Sequence, residues 1–517
     1  MEFTDFLIHF MFTLVLLLPV ILISRSVVAG TKYSPILIIV VFGLFLGYII
    51  NLTGLGSPGL TEFPMIGFTS GTTITALVVT FFVGGQKLRN TFWNPKEPKE
   101  DDVLLNDEEV ILGTKGTQLV FMVRAFFILV GIQAVVGMVY EQLSDKSYGV
   151  LSDYLPLIAF LGLVGSVIFI DSKAKIANRR AYLGRGLIEI VFIIVILVFA
   201  FVVAGAMPTA FRLPQIFFAM ILSSGLGMWQ SDWRPGPTMR ALLFAGIPMV
   251  LAAVFIVGGT RLVSAFDIPG MTQVMAYGFF GQLFWMFVGI GLLVFVGKSN
   301  HVDILAPGMA GSLSHSGLTG ACTAGDIGEV AKERAPIMIN IPFFGHIFVF
   351  SILAYSASKG ALQIPLAIPV VLIGAALTYW ALNTLKNANG EERFEIKGLI
   401  LFSIGWQLVA VFGGFTMLHY AGMDIEYAAM ANSAAISHFG LFASIQGGMF
   451  VPSGVAFADS ASANISFIFA MPFLIHPIVF GMFGKGMSDG GPMPKKIVAA
   501  LAITGIIGVF ISLVFIG

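Results

Sequence analysis

Charge is scarce in this chain. Asp, Glu, Lys and Arg make up 11% of its 517 residues, 28 of each sign. Soluble domains carry about 25% charged residues, so the composition argues against a globule dissolved in water. The zero net charge offers no electrostatic footprint for nucleic acid. Cysteine is nearly absent as well: Cys322 stands alone, which excludes an internal disulfide and a Cys-based zinc site. No Gly-x-x-x-x-Gly-Lys-Ser/Thr loop is present, so a nucleotide-driven pump of the P-loop kind is not expected. The N-terminus, Met-Glu-Phe-Thr-Asp, has no basic region and no small-residue cleavage site ends the first apolar run. Residues 6–24 therefore read as a retained helix rather than a signal peptide.

What is abundant is apolar surface. Hydrophobic residues make up 57% of the chain, with 49 Phe and 59 Gly, and mean hydropathy is +0.93. A helix that spans a bilayer needs about 20 apolar residues. Fourteen runs qualify: 6–24, 34–53, 64–84, 119–140, 154–171, 183–206, 213–230, 240–260, 273–297, 336–356, 363–384, 397–420, 463–484 and 495–516. The expected fold is all-α, a polytopic membrane protein of about 14 spanning helices. Lys and Arg cluster in alternate connections, for example Lys173, Lys175, Arg179 and Arg180. By the positive-inside rule those loops are cytoplasmic and the N-terminus is outside. The expected location is the plasma membrane, or the inner membrane of a bacterium. Segment 93–118, with Asp101-Asp102 and Asp107-Glu108-Glu109, reads as a solvated cytoplasmic loop.

Two short phrases occur twice. Ser314-His315-Ser316-Gly317-Leu318 returns as Ser437-His438-Phe439-Gly440-Leu441, and Pro342-Phe343-Phe344-Gly345-His346 returns as Pro472-Phe473-Leu474-Ile475-His476. The offsets are 123 residues (437 less 314) and 130 (472 less 342), so the second copy carries an insertion, placed around Gln446 to Pro452. The phrases sit in two glycine-rich segments, 303–330 and 426–460, too polar for lipid contact and too apolar for an ordinary loop. If each dips in and returns, Lys332 and Arg334 and the 386–397 cluster all fall inside, as the charge rule requires. Three helices separate the two hairpins, so they enter from opposite faces and form an inverted repeat, with their tips near the midplane. This divides the chain into N-terminal membrane helices, 1–240, and a transport core, 241–517. A second echo, Phe82-Val83-Gly84-Gly85 and Ile256-Val257-Gly258-Gly259, suits duplication and suits equally a plain packing seam.

Intramembrane polar groups are costly and mark sites by default. The candidate substrate-binding residues are Ser314, His315, Gly317, Thr319 and Thr323 in the first hairpin, and Ser437, His438, Gly440, Ser444 and Gln446 in the second. Asp326 and Asp459, one near the end of each hairpin, are candidate sodium ligands; each could equally cap a helix at the membrane surface. His346 and His476 read as buried groups that tie the repeat together. Gly374, mid-helix and outside the repeat, is expected to do no more than pack.

The run Val296-Gly297-Lys298 followed by His301-Val302-Asp303-Ile304-Leu305-Ala306-Pro307-Gly308, with the Ser/Thr/Gly hairpin and the helix from Pro336, resembles the C-terminal half of glutamate–sodium symporters. More broadly it is similar to secondary carriers with paired, oppositely oriented re-entrant loops. The resemblance covers residues 250–357, and 426–484 through the repeat. It implies sodium-driven uptake of a small organic anion, with Ser314, Gly317, Thr319, Ser437, Gly440 and Ser444 at the site. The expected function is ion-coupled secondary transport with sodium or a proton as coupling ion and no other cofactor. The expected partners are the lipid bilayer and an anionic substrate; nucleic acid is excluded and a homodimer is left open. Two alternatives stay open, a passive channel and an intramembrane hydrolase using a Ser and His pair; an enzyme is not expected.

Overall fold

The computed structural model describes residues 3–29, 31, 34–54, 62–93, 115–144, 149–168, 179–208, 213–323, 325–446, 465–469, 474–488 and 493–514. Among them the chain is all-helical, with no strand beyond a single isolated backbone bridge. Among the described residues, eight helices are long and apolar enough to cross a membrane, and a ninth span arises if the bent pair Glu329–Asn340 and Gly345–Ser358 is one. That content of apolar helix fits a membrane protein. Several apolar runs form helices shorter than a span, such as Gln215–Trp229. The 93–118 loop falls almost wholly outside the described residues, as does 447–460 in the second hairpin segment.

Two compact units emerge. The first holds residues 1–23, 55–206 and 218–253; the second holds 24–54, 207–217 and 254–517. Two N-terminal stretches, 24–54 and 207–217, thus belong with the second unit.

In the first unit lie α1 (Phe3–Val28, to residue 23), α3 (Glu62–Phe92), α4 (Lys115–Ser144), α5 (Leu155–Ile168), α6 (Arg179–Ala206), α7 (Gln215–Trp229, from residue 218) and most of α8 (Pro237–Thr260). A carboxylate organises the start of α8. Glu189 of α6 has no exposed surface, and it accepts hydrogen bonds from the backbone N–H groups of Gly236, Thr238 (3.0 Å) and Met239 (3.1 Å). Those are orphan donors of a helix N-terminus, with Pro237 at the first position, where its missing N–H costs nothing. Arg185, one turn before Glu189, lies 3.6 Å from the carboxylate and stacks 3.9 Å from the Trp233 ring centroid. We expect Glu189→Ala to destabilise the protein by about 3 kcal/mol, because three buried donors lose a charged acceptor at once. Glu189→Gln should cost less. Unfolding titrations in mixed detergent would check this; a wild-type midpoint for the alanine variant would mean water replaces the carboxylate.

The Phe82/Ile256 echo marks two close helix crossings. A methyl on Gly85 would sit 2.1 Å from the Ser224 carbonyl oxygen, and one on Gly227 2.1 Å from that of Phe82, so α3 and α7 touch backbone to backbone. In the second unit α2 (Pro35–Leu52) meets the end of α8 in the same way. There, methyls on Gly47 and Gly259 would meet the carbonyls of Ile256 and Leu44 at 2.1 and 2.2 Å. Both copies of the phrase thus perform one packing task.

The rest of the second unit runs in two parallel sets. The first is α9 (Met271–Gly291, continued by a π turn through Leu292–Val296), α10 (Val302–Ser312), α11 (Ser316–Thr323), α12 (Glu329–Asn340), α13 (Pro342–Ser358) and α14 (Ile364–Lys386). The second is α15 (Glu392–Tyr420), α16 (Ile425–Ala435), α17 (Phe439–Gln446), a helical piece at 465–469, α18 (His476–Ser488) and α19 (Lys495–Val514). The sets exchange partners. α14 of the first packs along α15 of the second, and α19 of the second along α9 of the first. Likewise α9 lies against α16, and α15 against α10. Outward faces of α14 and α19 stay apolar, with Leu372 65% and Phe510 66% exposed, as lipid contact would favour.

Candidate functional site

The repeated phrase Ser-His-x-Gly-Leu has a local structural meaning. Ser314 and Ser437 are left-handed residues, with φ of 51° and 50°. Each closes the helix before it. Ser314 N–H donates to the Gly311 carbonyl and His315 N–H to that of Ala310, at 3.3 and 3.0 Å; Ser437 and His438 donate to Ala434 and Ser433, at 3.0 and 2.9 Å. This is the paired bonding of a helix C-terminus that usually employs glycine at the left-handed position. The histidine then opens the next helix. Nδ1 of His315 accepts from Leu318 N–H (3.1 Å) and Nδ1 of His438 from Leu441 N–H (3.0 Å), the task of an N-cap side chain.

The two turns meet tip to tip. Ser316 N–H donates to the Ser437 carbonyl (3.4 Å), and Phe439 N–H to the Ser314 carbonyl (3.1 Å), so His315 and His438 face each other across an antiparallel bridge. Sequence repetition has thus become an approximate two-fold pairing of α10–α11 with α16–α17.

Side chains from both sets surround the tips. The Gln282 amide of α9 lies 3.0 Å from Nε2 of His315, and the Gln407 amide of α15 lies 3.4 Å from Nε2 of His438. Since Nδ1 of each ring accepts a backbone N–H, the neutral ring carries its proton on Nε2. Each glutamine must then present its oxygen to the ring, which leaves its NH2 end pointing away. Across the repeat, His476 of α18 packs on His315 with ring centroids 4.6 Å apart, and His346 of α13 packs on His438 at 4.7 Å. These rings cover the glycines that follow. A methyl on Gly317 would lie 2.6 Å from Nε2 of His476, and one on Gly440 3.2 Å from Nε2 of His346.

Several buried polar atoms here meet no partner among the described residues: Ser316 Oγ, Ser437 Oγ, the far ends of the Gln282 and Gln407 amides, and His346 Nε2. Buried polar groups are normally satisfied, so a concentration of open ones around one junction points to a ligand. The tip phrases and the four side chains that reach them contain no Asp, Glu, Lys or Arg.

Of the residues expected at the site, Ser314, His315, Gly317, Ser437, His438 and Gly440 come together at the tips. Thr319 lies one turn along α11. Thr323 and Ser444 turn their hydroxyls to carbonyls of their own helices, Thr319 at 2.8 Å and Gly440 at 2.7 Å. Gln446 ends α17, and its side chain lies outside the described residues, as does Asp459. Asp326 stands beyond the far end of α11, about 12 Å along the helix from the tips. It accepts a hydrogen bond from Ser34 Oγ at 3.1 Å. Burial pushes its carboxyl up to about 6, against the opposing pull of Ser34 and Arg25. Among the described residues no group of three His, Cys, Asp or Glu could hold a metal ion. Gln282 and Gln407 were not expected at the site. Their signal was the shared Gln-Leu pair, Gln282-Leu283 and Gln407-Leu408, each a little over thirty residues before a tip histidine. Compared with known proteins, the chain matches no protein-family model, no curated protein and no solved structure.

Proposed function

We propose that this chain is an ion-coupled secondary transporter that takes up a small organic anion, glutamate or a related carboxylate, driven by sodium or protons. The observation that carries the reading is the tip junction. Two sets of helices that share short repeated phrases bring the N-termini of α11 and α17 together beside buried hydroxyl and amide groups that meet no partner among the described residues. Helix N-termini and free N–H donors favour an anion, and interrupted helices that meet in this way are how carriers build a site at the midplane. In this reading about fourteen spans cross the membrane, and the two hairpins are re-entrant from opposite faces. Counterflow in proteoliposomes, with L-glutamate, L-aspartate and citrate and with or without a sodium gradient, tests it. Saturable exchange supports a carrier, and non-saturable flux would favour a channel.

The hydrolase alternative weakens on the same geometry. Both ring nitrogens of His315 and of His438 are engaged, so neither is poised as a base for a serine. Gly486-Met487-Ser488-Asp489-Gly490 does fit the Gly-x-Ser-x-Gly pattern. However, Ser488 is the last residue of α18, whereas that motif acts at a strand-to-helix turn.

Opposite entry of the hairpins has a direct test. Ser316 and Phe439 are buried at the tips, so labels belong at the bases. Cysteine at exposed Glu329, after α11, should react with a membrane-impermeant maleimide only from the cytoplasm; cysteine at exposed Asp424, before α16, should react only from outside. Labelling of both from one face would remove the inverted repeat.

A further inference from the structure

His346 holds the least explained atom in the site. Its Nδ1 lies 3.2 Å from the Pro342 carbonyl oxygen. A carbonyl only accepts, so Nδ1 carries the proton and the neutral ring keeps its lone pair on Nε2. That atom is fully buried and meets no partner among the described residues. Phe343 stacks on one face of the ring at 3.9 Å, Phe350 flanks it at 5.1 Å, and His438 lies at 4.7 Å. Nε2 itself is directed at the first turn of α17, beside Gly440.

We infer that Nε2 of His346 is where the coupling ion docks, and that this ion is a proton. The inference rests on the carrier reading and specifies its energetics. Hydronium on the aqueous side gives its proton to the lone pair: the Nε2–H bond forms as one hydronium O–H bond breaks, and water is released. The ring becomes an imidazolium that keeps Nδ1–H on Pro342 and gains Nε2–H toward α17, where the anion would lie. Among the described ring contacts of His346, His438 is the titratable one. It is a poor competitor, because Leu441 N–H occupies its Nδ1 and Gln407 faces its Nε2. The charged groups on the elements packed against α13 sit elsewhere. On α12, Glu329, Lys332, Glu333 and Arg334 all lie in its first two turns, Lys332 paired with Glu329 at 3.3 Å and Arg334 bound by Glu395 at 2.9 Å and by the Asp303 carbonyl; on α15, Glu392, Arg393, Glu395 and Lys397 lie near one end and His419 and Tyr420 at the other; on α16, Glu426 and Tyr427 lie at its start.

Burial supplies the coupling. A charge at this position is expensive unless it is paired, and among the described residues the tip phrases and the side chains that reach them offer no Lys or Arg to neutralise an anion. Proton and anion therefore stabilise each other and enter together. His476 occupies the matching place opposite Gly317, and Pro472 precedes it by four residues as Pro342 precedes His346.

The test has two arms. In the first, wild-type protein with ¹⁵N-labelled histidine is reconstituted with L-glutamate and followed by solid-state NMR from about pH 8 to about pH 5, with His346→Gln identifying the resonance. Sequential labelling identifies it instead if that variant does not fold. The expected result is that Nε2 gains a proton as pH falls while Nδ1 keeps its own; Nε2 protonated throughout, or never, overturns the inference. In the second arm, L-glutamate uptake into sodium-free proteoliposomes should rise about five-fold or more with an inside-alkaline gradient, and His346→Gln or His346→Asn should lose that dependence. Uptake that follows sodium and ignores pH overturns the proton while leaving the carrier. Absence of uptake for L-glutamate, L-aspartate and citrate alike overturns the carrier reading and the inference with it.

Discussion

Gly317→Ala is expected to reduce uptake by roughly ten-fold or more, with Gly440→Ala milder. At Gly317 the added methyl would lie 2.6 Å from Nε2 of His476, a distance that real side chains do not tolerate, so the ring or the tip must move. Overpacking of this kind costs about 1–3 kcal/mol, and 1.4 kcal/mol is a factor of ten. At Gly440 the methyl would stand 3.2 Å from both His346 Nε2 and His438 Cε1. A shift of a few tenths of an ångström would relieve it. Gly374 cannot serve as the neutral comparison that its mid-helix position suggested. A methyl there would lie 2.8 Å from the Gly405 carbonyl oxygen, where α14 and α15 are closest. Gly291 is suitable, since its nearest neighbour would be Phe295 at 3.8 Å. Uptake at matched expression, beside unfolding midpoints, would decide. Equal losses at Gly317 and Gly291 would mean that the tip is not the site.

The tip was legible because one short phrase specifies three adjacent structural acts: a left-handed serine ends a helix, a histidine caps the next, and a leucine amide receives the cap. Such local chemistry is written in consecutive residues, and its repetition exposed it. The second phrase was legible for a similar reason, as the proline starts α13 and the histidine one turn on faces the opposite tip. The glutamines were harder to see. Gln282 and Gln407 lie in the apolar middles of long helices, and only the fold shows that each reaches a histidine more than thirty residues away. Thr323 and Ser444 illustrate the opposite error. Composition counts a hydroxyl as available, but in a helix it readily bonds the carbonyl one turn back, as both do. The exchange of helices between the two sets was not legible either. Periodicity marks which face of a helix is apolar but not which partner will cover it.

Ser437→Gly should separate folding from transport. Ser437 holds φ of 50°, a conformation that costs an L-residue about 1–2 kcal/mol and glycine almost nothing. Glycine loses about 0.5–1 kcal/mol through its greater freedom in the unfolded chain. Stability should thus be unchanged or raised by up to about 1.5 kcal/mol. The hydroxyl is a different matter. It is fully buried and meets no partner among the described residues, an arrangement that stability alone does not reward. If it donates to the anion, its removal forfeits a charge-assisted hydrogen bond of about 1.5–3 kcal/mol. The apparent KM for uptake should then rise by about ten-fold or more, while the unfolding midpoint holds or increases. Ser437→Ala adds the control, since it removes the same hydroxyl but keeps the Cβ and its strain. Both variants should lose affinity alike, and glycine should be the more stable of the two, because it alone also relieves the left-handed strain. If the glycine variant transports with wild-type affinity, the hydroxyl plays no part in binding. The left-handed serine would then be only a turn residue, and the ligand would rest on the other groups of the junction: Ser316, the glutamine amides, His346 and the helix N-termini.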